Sequence, residues 1–453
     1  MSEPKKLKSV GLDLGTTSTQ MVVSELTVEN RASPFAVPEL EISQRRILYE
    51  SPVYFTPLVS EQRMDAAALR KIVEEEYRRA GITREDVDTG AIIITGETSR
   101  KENAQAVLEA MSDLAGDFVV ATAGPDLESV LAAKGAGAAD YSADTGKTVL
   151  HMDIGGGTSN LSLIRGGVIQ ETGCLNVGGR LLKLTQEGIV TYVSPVLQEL
   201  CGLQVGEKAE ENQIQQIAQT LAQALEMAAG LREVTPLLEV LTTQETLRPW
   251  LPPKEAVIPS FSGGVADCIG RDYPSFQFGD IGPALGRAIR ESRLCQGEYV
   301  LGKETIRATV IGAGCHSAQL SGSTVFWQNI SFPLKNIPVV RPHSLSDIGE
   351  SVKRQEGVSI LSLPGKNSPS YAETVEMAQT ILDQGLENYL ICLEQDMAKA
   401  LGQALAVRLP RQTPILCIDG VKAGEGSYLD IGKPLGGAFP VVIKTLVLSN
   451  NER

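Results

Sequence analysis

The run Val10-Gly11-Leu12-Asp13-Leu14-Gly15-Thr16-Thr17-Ser18-Thr19-Gln20-Met21-Val22-Val23 carries the plan of the fold. Apolar residues alternate on both sides of Gly15-Thr16-Thr17, which predicts a hairpin with a small, donor-rich turn. The run His151-Met152-Asp153-Ile154-Gly155-Gly156-Gly157-Thr158-Ser159-Asn160 repeats that plan, and Gly166-Gly167 turns the chain back through Val168-Ile169. In both runs an aspartate sits at the end of an apolar strand, and glycines and threonine follow. Glycine removes the Cβ and lets backbone N–H groups converge on an anion. Threonine hydroxyls add donors. An aspartate at each strand end, facing one common space, can hold the water shell of Mg²⁺ or orient an attacking water. One glycine hairpin is commonplace. Two of them, each led by an aspartate, predict a phosphate site shared by two strand ends.

Further strand is expected around Arg45 to Pro57. Asp65 caps a helix whose apolar face is Leu69, Ile72, Val73 and Tyr77, and Gly81 stops it. Ala91-Ile92-Ile93-Ile94 reads as a short buried strand. A helix turning Val107, Leu108 and Met111 inward ends at Gly116, and Phe118-Val119-Val120-Ala121 forms another strand. A helix from Asp126 to about Lys134 precedes the Thr148–Ile154 strand, so strands and helices alternate as in a layered α/β protein. Helical patterning runs from about 180 to 248. It includes a helix that buries Ile214, Ile217, Leu221 and Leu225 and turns Gln213, Gln216, Gln219 and Gln223 to solvent. Pro252-Pro253 ends this stretch, and Ala256 to Phe261 returns as a strand. Asp280-Ile281-Gly282 and Asp430-Ile431-Gly432 echo one another, as similar turns into helices would. The expected organisation is a lobe over 1–145, a second over 146–300 and a C-terminal α/β region over 301–453.

Composition narrows the function. The 453 residues carry a formal charge of −14, with 42% hydrophobic and 21% charged residues, which is ordinary for a globular chain of two or three domains. Such acidity argues against duplex binding, yet backbone amides can still hold phosphates. No apolar run approaches the length of a membrane span, and Met1-Ser2-Glu3-Pro4-Lys5-Lys6 leads straight into a strand; no nucleic acid, no membrane and a cytoplasmic location are expected. Cys174, Cys201, Cys268, Cys295, Cys315, Cys392 and Cys417 are scattered singly and read as small buried hydrophobes rather than as a zinc site. His151 lies inside an apolar strand, and the only other histidines are His316 and His343.

The two aspartate-led loops resemble the phosphate loops of the actin-like ATPase superfamily, which includes heat-shock chaperone ATPases, actin, bacterial cell-division ATPases and sugar kinases. Ser262-Gly263-Gly264-Val265-Ala266 is similar to the superfamily's adenosine loop. Asp126 to Gly135 and Asp280 to Ala288 are similar to its two connecting helices. The resemblance implies an α/β actin-like fold, two ribonuclease-H-like lobes around a nucleotide cleft, with ATP and Mg²⁺ bound there. It implies Asp13 and Asp153 as catalytic residues that hold the metal through water, and Gly15, Thr16, Thr17, Gly155, Gly156, Gly157, Thr158, Gly263 and Gly264 as nucleotide contacts. Asn160 stands where the chaperone ATPases have an aspartate, and Asp126-Leu127 where they have Glu-Pro; both departures bear on hydrolysis more than on binding.

Within the superfamily, the sequence is most similar to the ethanolamine ammonia-lyase reactivating factors, along nearly its whole length. The texture is that of the first hairpin, of Thr95-Gly96-Glu97-Thr98, of Met152 to Asn160 and of Leu175-Asn176-Val177-Gly178-Gly179-Arg180. This similarity implies an ATPase acting as a chaperone: it releases damaged cobalamin from inactivated ethanolamine ammonia-lyase so that adenosylcobalamin can rebind. Cobalamin then belongs to the partner rather than to this chain, and a bacterial microcompartment is the place of association. Two other functions fit the same scaffold. A small-molecule kinase would need a substrate-hydroxyl pocket and a general base, and a nucleotide-bound scaffold would hydrolyse little. Thr145-Gly146-Lys147-Thr148 ends like a P-loop but has Tyr141 where that motif needs glycine. Ile311-Gly312-Ala313-Gly314 lacks the third glycine of a dinucleotide turn.

Overall fold

The computed structural model describes residues 5–15, 18–30, 40–60, 63–95, 103, 107, 119–122, 125–243, 250–302, 305–316, 319–322, 324–353, 357–424, 427–434 and 438–445. The first hairpin forms as its alternation predicts, from strands Lys5–Leu14 and Ser18–Asn30. In space the first sheet runs Leu40–Glu50, Ser18–Asn30, Lys5–Leu14, Thr89–Ile94, Val119–Thr122. Its first two pairings are antiparallel and its last two parallel. The second sheet runs Val168–Leu175, Ser159–Arg165, Val149–Ile154, Ile258–Ser262, Val300–Leu301, with the same order of pairing senses. Two sheets of one topology, each centred on an aspartate-ended strand, are the two ribonuclease-H-like lobes of the actin-like fold. Every residue of Thr89–Ile94 and Val149–Ile154 is buried, as befits central strands covered on both faces.

Local signals set most of the helices. Ala66–Ala80 begins where the Asp65 carboxylate accepts the Ala68 N–H and ends at Gly81, whose φ of 64° is left-handed. Glu211–Ala228 buries Ile214, Ile217, Leu221 and Leu225, and Gln213, Gln216 and Gln219 are exposed. The expected helix around Val107 to Met111 falls, apart from Val107, outside the described residues. The start of the 180–248 stretch is a correction. Leu182–Leu184 and Val190–Val193 pair as a hairpin, because Leu182 and Leu184 alternate with exposed Lys183 at the period of a strand.

A second correction concerns the connecting helices. Pro125–Gly135 packs against Ala308–His316, which also lies on the strand Lys5–Leu14. Gly282–Glu291, expected in that role, packs instead on Gly264–Gly270 and Glu211–Ala228. The close crossing depends on absent side chains. A Cβ at Gly135 would lie 1.8 Å from the Ala308 carbonyl oxygen, and one at Gly312 would lie 2.1 Å from that of Leu131. The Gly312-Ala313-Gly314 run is therefore helix-packing surface, not a turn. The internal echo also dissolves: Gly282 opens a helix, whereas Asp430 and Ile431 end the strand Ser427–Ile431.

The C-terminal region forms an eight-stranded sheet in which Leu334–Val340, Ile360–Leu363, Tyr389–Leu393 and Ile415–Ile418 run parallel. Helices Tyr371–Leu382 and Ala398–Ala406 cover it. No helix among the described residues is long and apolar enough to cross a membrane.

Candidate functional site

Both aspartate-led loops close in the same way. The Gly15 N–H donates to the Ser18 carbonyl at 2.9 Å, and the Gly155 N–H donates to that of Thr158, also at 2.9 Å. Asp13 lies opposite Gln20 in its hairpin and Asp153 opposite Asn160 in the other, so the two lobes present equivalent pairs. Thr16 and Thr17 lie outside the described residues. Gly157 is exposed with open space before it, and Thr158 is half-buried. Gly263 follows the strand beside Asp153; a Cβ there would meet the Ile154 carbonyl oxygen at 2.3 Å, so this glycine serves the chain's own packing. The next residue, Gly264, is exposed and faces open space.

The two aspartates are buried, with 8% of Asp13 and 7% of Asp153 exposed. Burial pushes the Asp13 carboxyl up to about 7; the Thr95 hydroxyl, donating at 2.9 Å, opposes this, and the nearby Asp153 charge adds to it. Burial pushes Asp153 up to about 6, opposed by hydrogen bonds from Ser262 and Thr309. Each aspartate thus takes a hydroxyl from the end of the parallel strand beside its own: Thr95 follows Thr89–Ile94, and Ser262 closes Ile258–Ser262. Thr309, in the first turn of Ala308–His316, brings the crossing helix into the site.

His151 stands behind Asp153. Its Nδ1 is 3.0 Å from the Ser260 hydroxyl, and its Nε2 is 2.9 Å from that of Ser262. Ser262 spends its proton on Asp153 Oδ1 at 2.5 Å, so it must accept from Nε2–H, which leaves Nδ1 to accept from Ser260. Burial drives the imidazole down to about 3, so it stays neutral. Neither this chain of donors nor Thr95 and Thr309 was legible as site residues in sequence. The register Ser260↔His151 and Ser262↔Asp153 that assembles them is tertiary.

The second loop is braced from beyond its hairpin. The Gly179 N–H donates to the Gly155 carbonyl at 3.1 Å and the Arg180 N–H to that of Gly156 at 2.6 Å. Arg180 then pairs with Asp280 at 3.2 Å.

The donor set suits a hard cation held through water. Among the described residues no three His, Cys, Asp or Glu side chains gather to ligate a metal directly. Gln20 Oε1 and Asn160 Oδ1, opposite the two aspartates, are buried acceptors without a hydrogen-bond partner among the described residues. All these acceptors are oxygens, the ligand type of a hydrated Mg²⁺.

The profile of a family described as "Ethanolamine utilisation protein EutA" matches residues 5–449. The chain is 39% identical to "Ethanolamine ammonia-lyase reactivase EutA" of Salmonella typhimurium over 98% of both chains. It is 38% identical, over the same shares, to the protein of that name in Escherichia coli. Among solved structures, the Aquifex aeolicus Ppx/GppA enzyme matches 68% of this chain and 99% of its own at 13% identity and a TM-score of 0.43. Ethanolamine utilization protein EutJ from Carboxydothermus hydrogenoformans matches 68% of this chain and 89% of its own at 17% identity and a TM-score of 0.33.

Proposed function

Because the chain belongs to the EutA family of ethanolamine utilisation proteins, we propose that it is a reactivating chaperone that uses ATP to free inactivated ethanolamine ammonia-lyase of damaged cobalamin. The observation that carries the ATP-dependent part is the pairing of two equivalent Asp–Gly loops at the ends of two equivalent central strands, with Asp13 and Asp153 close enough for one charge to act on the other. Gly15, Thr16 and Thr17 of the first loop and Gly155, Gly156, Gly157 and Thr158 of the second would hold the phosphates. Gly264, exposed beside the buried Gly263, would face the adenosine. Mg²⁺, held through water by Asp13 and Asp153, supplies neutralising charge at the phosphates when bound. Thr95 and Ser262 keep the two carboxylates aimed at the shared space. Burial that makes each carboxylate costly on its own makes a dication beside it favourable. Asn160, neutral opposite Asp153, supports slow turnover, which suits a chaperone that works by switching shape more than by consuming ATP.

Affinity for two states of the lobes that differs between ATP and ADP would let the chain pull open a cobalamin site on the lyase. Cobalamin stays on the partner, and the chain works in the cytoplasm, at a bacterial microcompartment. The test mixes the purified chain, ATP, Mg²⁺ and free adenosylcobalamin with lyase inactivated by bound cyanocobalamin and follows ammonia release. Recovery that needs ATP and disappears with Asp13→Ala is expected. No recovery, despite measurable ATP binding, would reject the reactivase reading and leave a kinase or a scaffold.

A further inference from the structure

The two loops close with the same hydrogen bond and differ in what holds the carbonyl of their first glycine. In the second, the carbonyl of the first glycine, Gly155, is taken by a main-chain donor, the Gly179 N–H at 3.1 Å. In the first, the equivalent carbonyl of Gly15 is taken by a side chain: the Thr56 hydroxyl donates to it at 2.7 Å. Thr56 is buried, with 7% of its surface exposed. It directly follows the short strand Tyr54–Phe55, which pairs with Ser18 and Thr19 on the far side of the same loop. Its hydroxyl oxygen is also 3.1 Å from that of Thr19. Since the Thr56 proton goes to Gly15, Thr19 is the donor in that second contact, and the two hydroxyls form a directed chain ending on the loop.

We infer that Thr56 is the positioning residue of the first phosphate loop. Thr56 touches no reacting atom. It holds the Gly15 carbonyl in place, the part that Gly179 plays by main chain in the other lobe. A main-chain brace survives any substitution but proline, whereas a hydroxyl does not, so the first loop can be loosened by deleting one oxygen. The inference rests on the nucleotide-site reading above. A misplacement of about 1 Å in a reaction site can cost about 100-fold in rate.

The test compares Thr56→Val, which keeps the shape and removes the donor, with Thr56→Ser, which keeps the donor, and with Thr19→Val, which removes only the group that directs it. Mg²⁺-dependent ATP hydrolysis and melting temperature are measured on the full chain for each. Expected are a kcat at least tenfold lower in Thr56→Val, a value within twofold of the parent in Thr56→Ser, a loss of a few fold in Thr19→Val, and melting within a few degrees throughout. Equal turnover in Thr56→Val and the parent overturns the inference, as does failure of Thr56→Ser to restore it. If Thr56→Val does not fold, an unchanged kcat in Thr19→Val overturns it and a reduced one supports it. A parent chain that neither binds nor hydrolyses ATP is a separate result and rejects the nucleotide site itself.

Discussion

Burial holds the Asp13 carboxyl near 7 and that of Asp153 near 6, so in the ligand-free protein both resist ionising. The unfolded chain ionises them at ordinary values near 3.8, and the native state therefore binds more protons between that value and about 7. Stability contributed by these groups is present at low pH and is lost as pH rises through the window. Asp13→Asn should raise the ligand-free stability by roughly 2–4 kcal/mol at pH 8 and by nothing at pH 4, where the native aspartate is already neutral. Melting curves at the two pH values check this, and equal gains at both would contradict it. The same variant should lose Mg²⁺-ATP turnover at least about 100-fold. His151 has the opposite sign. Its imidazole is neutral down to about 3 in the fold, against an ordinary value of 6.5. Between those values only the unfolded chain takes up the proton, so the contribution falls as pH falls, by about 2 kcal/mol at pH 5. His151→Gln keeps a neutral donor and acceptor between Ser260 and Ser262. It should therefore unfold at a lower pH than the parent in an acid titration; coincident acid midpoints would sink the assignment.

At the scale of elements, the crossing of Pro125–Gly135 with Ala308–His316 and the Gly263-Gly264 turn use glycine for different ends. Gly312 has the Leu131 carbonyl oxygen 2.1 Å from where its Cβ would stand, and that backbone cannot move aside cheaply. Gly264 has nothing within 4 Å. Gly312→Ala should cost about 1–3 kcal/mol or more, as overpacking does. Gly264→Ala should leave melting unchanged and weaken ATP binding, because its methyl enters the space assigned to adenosine. Thermal melts and ATP titrations on both variants separate the two, and a stable Gly312→Ala or an unaltered affinity in Gly264→Ala would contradict the respective reading. The contrast also explains what was legible beforehand. Asp65 and Gly81 bracket a helix by local chemistry, and the two hairpins announce themselves by alternation around glycine, so these elements and the aspartates within them could be read from the chain. The crossing helix could not. Gly312 and Gly314 look like turn residues until Leu131 and the Lys5–Leu14 strand, distant in sequence, supply the surfaces they fit. The part that Thr95, Ser262 and Thr309 play at the aspartates was hidden for the same reason, since only sheet register and helix packing bring their hydroxyls there.

At the scale of the molecule, the buried clusters of the described residues tie the first two sheets together through one helix and give the C-terminal sheet cores of its own. Val310, Ile311 and Cys315 of the crossing helix share a core with Val22, and Ala313 shares one with Ala91, Ile93 and Leu131. The same helix carries Thr309, whose hydroxyl opposes the rise of the Asp153 pKa, so it lies close to both lobes' sites. The C-terminal sheet, in contrast, buries its apolar residues in two clusters drawn only from its own strands and helices. Two thermal transitions are expected, one for the lobes together and one for the C-terminal body. A ligand that binds only the native lobes stabilises them by about 2.7 kcal/mol at 100 times its Kd. Mg²⁺-ATP should therefore raise the first transition by several degrees and leave the second in place, and Asp13→Asn should abolish the shift without abolishing either transition. Calorimetry with and without the nucleotide reads both at once. One transition moving as a whole would mean that the C-terminal sheet shares the lobes' cooperativity, and a shift retained in Asp13→Asn would remove that aspartate from the nucleotide site.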